Sequence, residues 1–232
     1  MTDPIMLSTC CLADGQAAHP VVTCAGRLLS RIAPETDTAD AVAGFIRRRF
    51  LQAYGAEPIL RIPDLLALTS AQGTVLAAAG VRNAGKEKLF LEDYLGKPVE
   101  SALPEPCADR DRVAEIAHLA GVEAGISRYL FACLSVWLDS ENYDWVVCTG
   151  TDQLRNSFHR LGITTQVLGE ALAGQLPDRG AGWGAYYQHH PQVLAIRISD
   201  SLSALQRAGL LQRVRLVPGA LPDEGGRYGR TA

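Results

Sequence analysis

The stretch that decides the fold is Val113-Ala114-Glu115-Ile116-Ala117-His118-Leu119-Ala120, together with the turn Gly121-Val122-Glu123-Ala124-Gly125, a run to Leu138, and Trp145-Val146-Val147-Cys148-Thr149. The first eight residues read as a strand. Val113, Glu115, Ala117 and Leu119 face one way, and Ala114, Ile116, His118 and Ala120 the other. After the turn, Val122, Ile126, Tyr129, Leu130, Cys133, Leu134, Trp137 and Leu138 recur at helical spacing and make one broad apolar face. The run from Trp145 to Thr149 is continuously apolar, as a buried strand requires. Strand, helix and strand in this order predict a right-handed crossover between two parallel strands.

Working outward, Thr36-Asp37-Thr38-Ala39-Asp40 offers helix caps, and Val42, Phe45, Ile46, Arg49 and Phe50 continue at helical spacing until Gly55 ends the helix after Tyr54. Leu65 to Thr69 and Thr74 to Ala79 form a hairpin around Ala71-Gln72-Gly73, closed by Gly80 to Asn83. Leu89 to Leu95 reads as a short helix ended by Gly96 and Pro98, and Ser101 to Arg112 as a loop. Thr149-Gly150-Thr151-Asp152 reads as a strand-to-helix cap for a helix to Arg160. Val193 to Ile198 is a late strand and Ser201 to Leu211 a terminal helix, while Val21 to Cys24 is strand-like. The expected fold class is α/β: a mixed sheet with helices on both faces. Residues 1–35 are expected to be an extension or added strand, 36–217 the main domain, and 218–232 a disordered tail.

Composition excludes several functions. At 232 residues with 47% hydrophobic content the chain can bury a full core. A net charge of −3 gives no electrostatic case for nucleic acid. No window approaches the ~20 apolar residues of a membrane span. Met1-Thr2-Asp3-Pro4 lacks a basic leader, so a cytoplasmic location is expected. The six cysteines form no C-x-x-C pair and read as reduced thiols, with Cys133 and Cys148 as buried small hydrophobes. His189-His190 lacks partners at ligand spacing, so no metal is expected. No P-loop, G-x-S-x-G or H-E-x-x-H occurs.

A series of short motifs falls in a telling order. It comprises Gly80-Val81-Arg82-Asn83-Ala84, Leu89-Phe90-Leu91-Glu92-Asp93-Tyr94-Leu95-Gly96-Lys97-Pro98-Val99-Glu100 and Ala114-Glu115-Ile116-Ala117-His118-Leu119-Ala120. Trp145 to Thr151, Leu154-Arg155-Asn156, Arg160-Leu161-Gly162, Trp183-Gly184-Ala185-Tyr186-Tyr187 and Pro191-Gln192-Val193 complete it. Over roughly residues 40–200 this set resembles the bacterial thermostable hemolysin family, a branch of the GNAT-like acyltransferase superfamily close to the acyl-homoserine-lactone synthases. The resemblance implies a GNAT-like, mostly antiparallel sheet and an N-acyltransferase that moves an acyl group from a thioester to a small-molecule amine. The synthases' arginine after a glycine-containing strand and the glutamate of their strand-borne Glu-x-Ser-Arg motif match Arg82 and Glu115. Ala117 and His118 replace the motif's serine and arginine, which argues against an amino-lactone product and S-adenosylmethionine. The turn from Gly121 to Gly125 departs from the usual coenzyme A loop. A thioester on acyl carrier protein is therefore the first expected co-substrate and acyl-coenzyme A the second, with no tightly bound cofactor. A non-catalytic, carrier-binding member is the rival reading. Any haemolysis would come from a lipid product, because no amphipathic basic segment is present.

Acyl transfer to an amine needs a base, oxyanion donors and a groove for the donor arm. Glu115 is the expected base, since a carboxylate on an apolar strand must be paired or open on a cleft. The alternative is a structural ion pair with Arg82. Arg82 could also bind a substrate carboxylate. His118 joins Glu115 only if the strand carries a bulge. Gly121, Gly125, Ile126 and Ser127 open the long helix, whose amides favour a phosphate of the co-substrate. Trp183, Tyr186 and Tyr187 are expected to line the substrate pocket, either tyrosine being able to reprotonate the leaving thiolate. Arg47, Arg48 and Arg49 are the local candidates for docking a carrier protein.

Overall fold

In a computed structural model of the chain, residues 17–60, 64–105, 109–123 and 125–218 are described. Among these residues nine strands form one sheet: β1 (Ala18–Cys24), β2 (Arg27–Ile32), β3 (Asp64–Thr69), β4 (Val75–Asn83), β5 (Val113–Gly121), β6 (Trp145–Gly150), β7 (Gln166–Glu170), β8 (Gln192–Arg197) and β9 (Val214–Leu216). Their spatial order is β7-β8-β6-β5-β4-β3-β2-β1-β9. Only β5 and β6 pair in parallel; every other neighbouring pair is antiparallel. The mixed, mostly antiparallel sheet expected from the sequence is present.

Five α-helices among the described residues cover the two faces: α1 (Asp37–Tyr54), α2 (Glu92–Leu95), α3 (Ser127–Ser140), α4 (Asp152–Arg160) and α5 (Ile198–Arg207). Thr36 caps α1, its hydroxyl accepting the amide of Ala39 at 3.1 Å. Gly55 ends the helix in the left-handed conformation. Val42, Phe45, Ile46 and Phe50 of α1 pack on Ala67, Val75, Ala78 and Ala120 of the sheet. On the other face Leu130, Cys133, Leu134, Trp137 and Leu138 of α3 pack on Leu66, Leu68, Ala79, Ala114 and Ile116. Cys24, Cys133 and Cys148 are buried free thiols; Cys10, Cys11 and Cys107 lie outside the described residues.

Several elements differ from the sequence expectation. Gly80 to Asn83 does not merely close the hairpin but extends β4 along β5. The helix expected over Leu89–Leu95 shortens to Glu92–Leu95; the residues before it form turns, Leu89 accepting from the Glu92 amide and Phe90 from that of Asp93, while their own amides donate to carboxylates. The last helix starts at Ile198, directly from β8, without a linker. The hairpin of β1 and β2 lies within residues expected to be an extension or an added strand. The tail beyond Pro218 lies outside the described residues. No helix among the described residues is long and apolar enough to cross a membrane.

Candidate active site at a split in the sheet

The parallel pairing of β5 with β6 is short. It runs from Val113 opposite Trp145 to Ile116 opposite Cys148 and stops there. Beyond it β6 stays with β8, Thr149 facing Val193 and Gly150 facing Gln192. Meanwhile β5 stays with β4, Ala120 facing Ala78 and Gly121 facing Ala77. The sheet therefore splits, and past Ile116 the edge of β5 that faces β6 has no strand partner among the described residues.

A β-bulge sits at the split. Gly80 pairs with Ala117 and Ala78 with Ala120, so the single residue Ala79 opposes both His118 and Leu119. His118 takes a left-handed φ of 51°, a conformation in which histidine is enriched but which still costs about 1–2 kcal/mol. The extra residue turns His118 onto the face of α1. Its ring stacks on Trp183 at 5.9 Å between centroids and meets Phe50 edge-on at 5.9 Å. Regular alternation would have sent it to the opposite face from Glu115; the bulge puts both in the wall of one cavity.

That cavity, of about 290 Å³, passes through the split. On the α1 side its wall includes Phe50, Tyr54, Phe90, Trp183 and Tyr186 beside Glu115 and His118. On the α3 side it is walled by Ile126, Leu130, Leu134, Leu138, Ile196 and Ile198. One half is thus aromatic and polar, the other an apolar channel along α3. Two buried polar atoms in its walls, His118 Nδ1 and Thr149 Oγ1, have no hydrogen-bond partner among the described residues. Such atoms are costly to leave dry, and a ligand in the split would satisfy them.

The carboxylate of Glu115 is 2% exposed. Oε2 accepts from Arg82 Nη1 at 2.8 Å and from the Phe90 amide at 2.9 Å, and Oε1 accepts from the Leu91 amide at 3.0 Å. Burial raises its pKa, against the opposing pull of the Arg82 charge and the two amides. Arg82 also meets Glu87 at 3.1 Å. Burial, with the Arg82 charge adding to it, pushes the His118 imidazole down to about 4, so it is neutral at physiological pH.

A second buried carboxylate, Glu92, was not singled out in the sequence. It accepts from the amides of Leu89 (2.9 Å) and Val99 (2.8 Å) and from Arg110 (2.8 Å). Burial works to raise its pKa, but Arg110 and the two amides outweigh it and hold the carboxyl low. Glu92 and Glu115 together tie Leu89, Phe90, Leu91 and Val99 into the wall beside the cavity. The Gly180–Tyr187 segment continues this wall, Trp183 meeting Phe90 at 6.0 Å between ring centroids, and is fastened to the end of α1. Glu57 donates its amide to Gly182 at 2.7 Å, and Ala185 donates its own to Tyr54 at 2.8 Å.

The residues singled out from the sequence divide accordingly. Glu115, His118, Gly121, Ile126, Ser127, Trp183 and Tyr186 line the cavity. Arg82 stands behind Glu115 as its ion-pair partner. Gly125 is not in the lining, and Ala124 between it and Glu123 lies outside the described residues. Tyr187 is also outside the lining; its hydroxyl pairs with that of Tyr94 at 2.8 Å. Within the expected cap Thr149-Gly150-Thr151-Asp152, Thr151 takes the cap position, while Thr149 stays in β6 and lines the cavity at the split. Arg49 lines the mouth and donates to the Val122 carbonyl at 3.1 Å, while Arg47 and Arg48 are exposed. Among the described residues no cluster of His, Cys, Asp and Glu could hold a metal ion.

Comparison with known proteins agrees with this architecture. The sequence model of the thermostable hemolysin family matches residues 32–202. No curated protein matches the chain. Among solved structures, a CoA-dependent acyl-homoserine lactone synthase, BjaI, with SAM and isopentyl-CoA, superimposes with a TM-score of 0.54 at 12% identity, covering 84% of this chain and 92% of its own. FeeM, an N-acyl amino acid synthase from uncultured soil microbes, gives 0.53 at 16% identity, covering 77% and 94%. The AHL synthase LasI gives 0.52 at 13% identity, covering 81% and 95%. At such identities the likeness establishes the fold, which is GNAT-like.

Proposed function

The chain belongs to the thermostable hemolysin family, and from that premise we propose that it is an N-acyltransferase, moving an acyl group from a carrier-protein or coenzyme A thioester to a small-molecule amine. The observation that carries this reading is the split between β5 and β6, with its two-sided cavity and its unpartnered His118 Nδ1 and Thr149 Oγ1. An unpaired strand edge accepts an extended, amide-bearing arm as an added strand, and the pantetheine arm of either donor is such a group. Gly121, Ile126 and Ser127 stand at the mouth where the arm would enter, with Gly125 beside them, and the α3 channel suits the acyl chain. The aromatic half, with Trp183 and Tyr186, takes the amine. The fold neighbours named as synthases of acyl-homoserine lactones and of N-acyl amino acids support the same reaction class.

In this reading the amine nitrogen attacks the thioester carbon, the N–C bond forms and the C–S bond breaks. Attack makes the nitrogen strongly acidic, so a weak base suffices, and His118 Nδ1 takes the proton. Thr149 donates to the developing oxyanion. The departing thiolate leaves with its electron pair and takes up the proton that His118 removed from the nitrogen, while Tyr186, whose hydroxyl donates to the Thr149 carbonyl at 3.4 Å, holds that strand end in place. Glu115, with three donors already bound, is a positioning group: it holds Arg82 and the Phe90–Leu91 backbone against the cavity. Arg47 and Arg48, exposed beside the Arg49 mouth, favour an acidic carrier protein as donor.

The test is mass spectrometry of the purified protein with acyl-carrier-protein and acyl-coenzyme A panels and an amine library, for wild type, His118→Asn and Glu115→Gln. A thiol-releasing, His118-dependent N-acylated product is expected. Folded protein that binds acyl donors but turns none over would favour the non-catalytic, carrier-binding reading.

A further inference from the structure

In the apolar half of the cavity, nine residues along α3 from Ile126, two hydroxyls face each other. Ser135 on α3 and Ser201 on α5 are 8% and 4% exposed, and their oxygens lie 2.9 Å apart. Both line the cavity, among Leu134, Leu138, Ile196 and Ile198. Alanine would pack two helices at this point without burying a polar group, and each buried hydroxyl costs energy that one mutual hydrogen bond only partly offsets. The bond uses one of the two hydroxyl protons; the second has no acceptor among the described residues. Elsewhere the chain disposes of helical serines differently: Ser157 and Ser203 donate back to the carbonyls of Gln153 and Ser199. The Ser135–Ser201 pair therefore presents an unused donor, and lone pairs, to the channel.

We propose that this pair selects an acyl chain carrying a hydroxyl near its far end, an inference that rests on the acyl-channel reading of the cavity. The depth fixes where the oxygen belongs. From Ile126 at the mouth to Ser135 is nine residues along α3, about 13 Å at the helical rise. An extended chain covers that in roughly ten bonds, at roughly 1.2 Å per bond as in an extended backbone. A hydroxyl at that depth accepts the free Ser O–H and donates to a serine lone pair. A plain alkyl chain of the same length leaves the serine pair as it is and gains neither bond.

The experiment measures displacement of a fluorescent fatty-acid probe from the full-length protein by decanoic acid and by 8-, 9- and 10-hydroxydecanoic acids. It compares wild type, Ser135→Ala, Ser201→Ala and the double variant. In wild type at least one hydroxy acid is expected to bind about three- to tenfold tighter than decanoic acid, and the double variant is expected to reverse that order. Wild type that prefers decanoic acid to every hydroxy acid overturns the inference and leaves the acyl channel standing. So does a preference that survives in the double variant. If the probe itself and all four acids fail to bind folded wild type, the acyl reading of the cavity falls, and this inference with it. Because the wild-type ranking alone can refute the proposal, the outcome does not depend on the variants folding.

Discussion

Glu115→Ala separates a positioning carboxylate from a catalytic one. The substitution removes three hydrogen bonds at once: those from Arg82 and from the amides of Phe90 and Leu91. It leaves a guanidinium whose side chain is 7% exposed with Glu87, itself 44% exposed, as its remaining carboxylate. Removing one partner of a buried ion pair costs about 3–5 kcal/mol, much of it the penalty of the charge left behind. For a chain of this size each kcal/mol lowers Tm by about 2–4 °C, so a fall of about 6–20 °C is expected. Glu115→Gln keeps the shape and one acceptor oxygen but turns an NH2 group toward donors, and about 1–3 kcal/mol is expected. Thermal unfolding followed by circular dichroism reads both. A Glu115→Ala protein melting within about 2 °C of wild type would refute the reasoning. Activity supplies the second readout: a positioning role predicts that folded Glu115→Gln loses about tenfold in turnover with an unchanged pH profile. A fall of about a thousandfold or more, with loss of one limb of that profile, would make Glu115 the base instead.

Three further outcomes are expected from the same geometry. His118 holds its neutral form down to about pH 4 in the fold, whereas an unfolded chain's imidazole protonates near 6.5. The unfolded state therefore binds the extra proton first, and stability drops by about 1.4 kcal/mol per pH unit from roughly pH 6.5 toward 4. His118→Asn, which tolerates the left-handed φ, is expected to flatten that slope in urea titrations at pH 7, 6 and 5; an unaltered slope would contradict the burial of the imidazole. Gly184 has φ 51°, and a Cβ there would lie 2.3 Å from the Tyr54 carbonyl oxygen. Gly184→Ala is expected to cost about 1–3 kcal/mol and to shift tryptophan emission as Trp183 leaves its stack; unchanged emission and ligand affinity would show that the wall is held otherwise. Leu134→Trp fills the α3 channel above the serine pair and is expected to weaken long-chain fatty-acid binding at least tenfold while sparing short chains. Equal affinity for all chain lengths would put the chain elsewhere.

The crossover was legible because its signals are strong: an eight-residue alternating run, a broad helical stripe and the apolar run Trp145–Thr149. The Arg82–Glu115 pair was legible only as the alternative to a base at Glu115, since a carboxylate on an apolar strand must be paired or open on a cleft. The bulge was not. No glycine or proline marks it, and His118 takes its left-handed φ only because Ala78 and Gly80 fix the register on either side. Glu92 lay hidden in a segment that resembles an ordinary helix; its two amide donors belong to residues three before and seven after it. The edge strands β7 and β9 carry mostly exposed or half-buried residues and no clean alternation. The inward turn of Thr149 depends on the divergence of its neighbours, which no local pattern encodes.

That divergence has a physical source in the same few residues. A bulge increases local twist and bends the strand that carries it. On β5 it lies two residues beyond the last pairing with β6, so the bend acts where the two strands part. The β4 side holds the bent end: Val122 donates to the Leu76 carbonyl at 2.9 Å, and Arg49 of α1 clasps the Val122 carbonyl at 3.1 Å. The β8 side holds β6 straight through Gly150, where a Cβ would press on Leu154 at 3.0 Å and Leu194 at 3.1 Å. Pulled to opposite partners, the strands open the passage, and the residue inserted to bend one of them is also the one whose unpartnered nitrogen stands in its wall. The bulge at His118 therefore combines two things that a regular strand could not: it opens a passage between the half-sheets and sets an unpartnered polar atom in its wall.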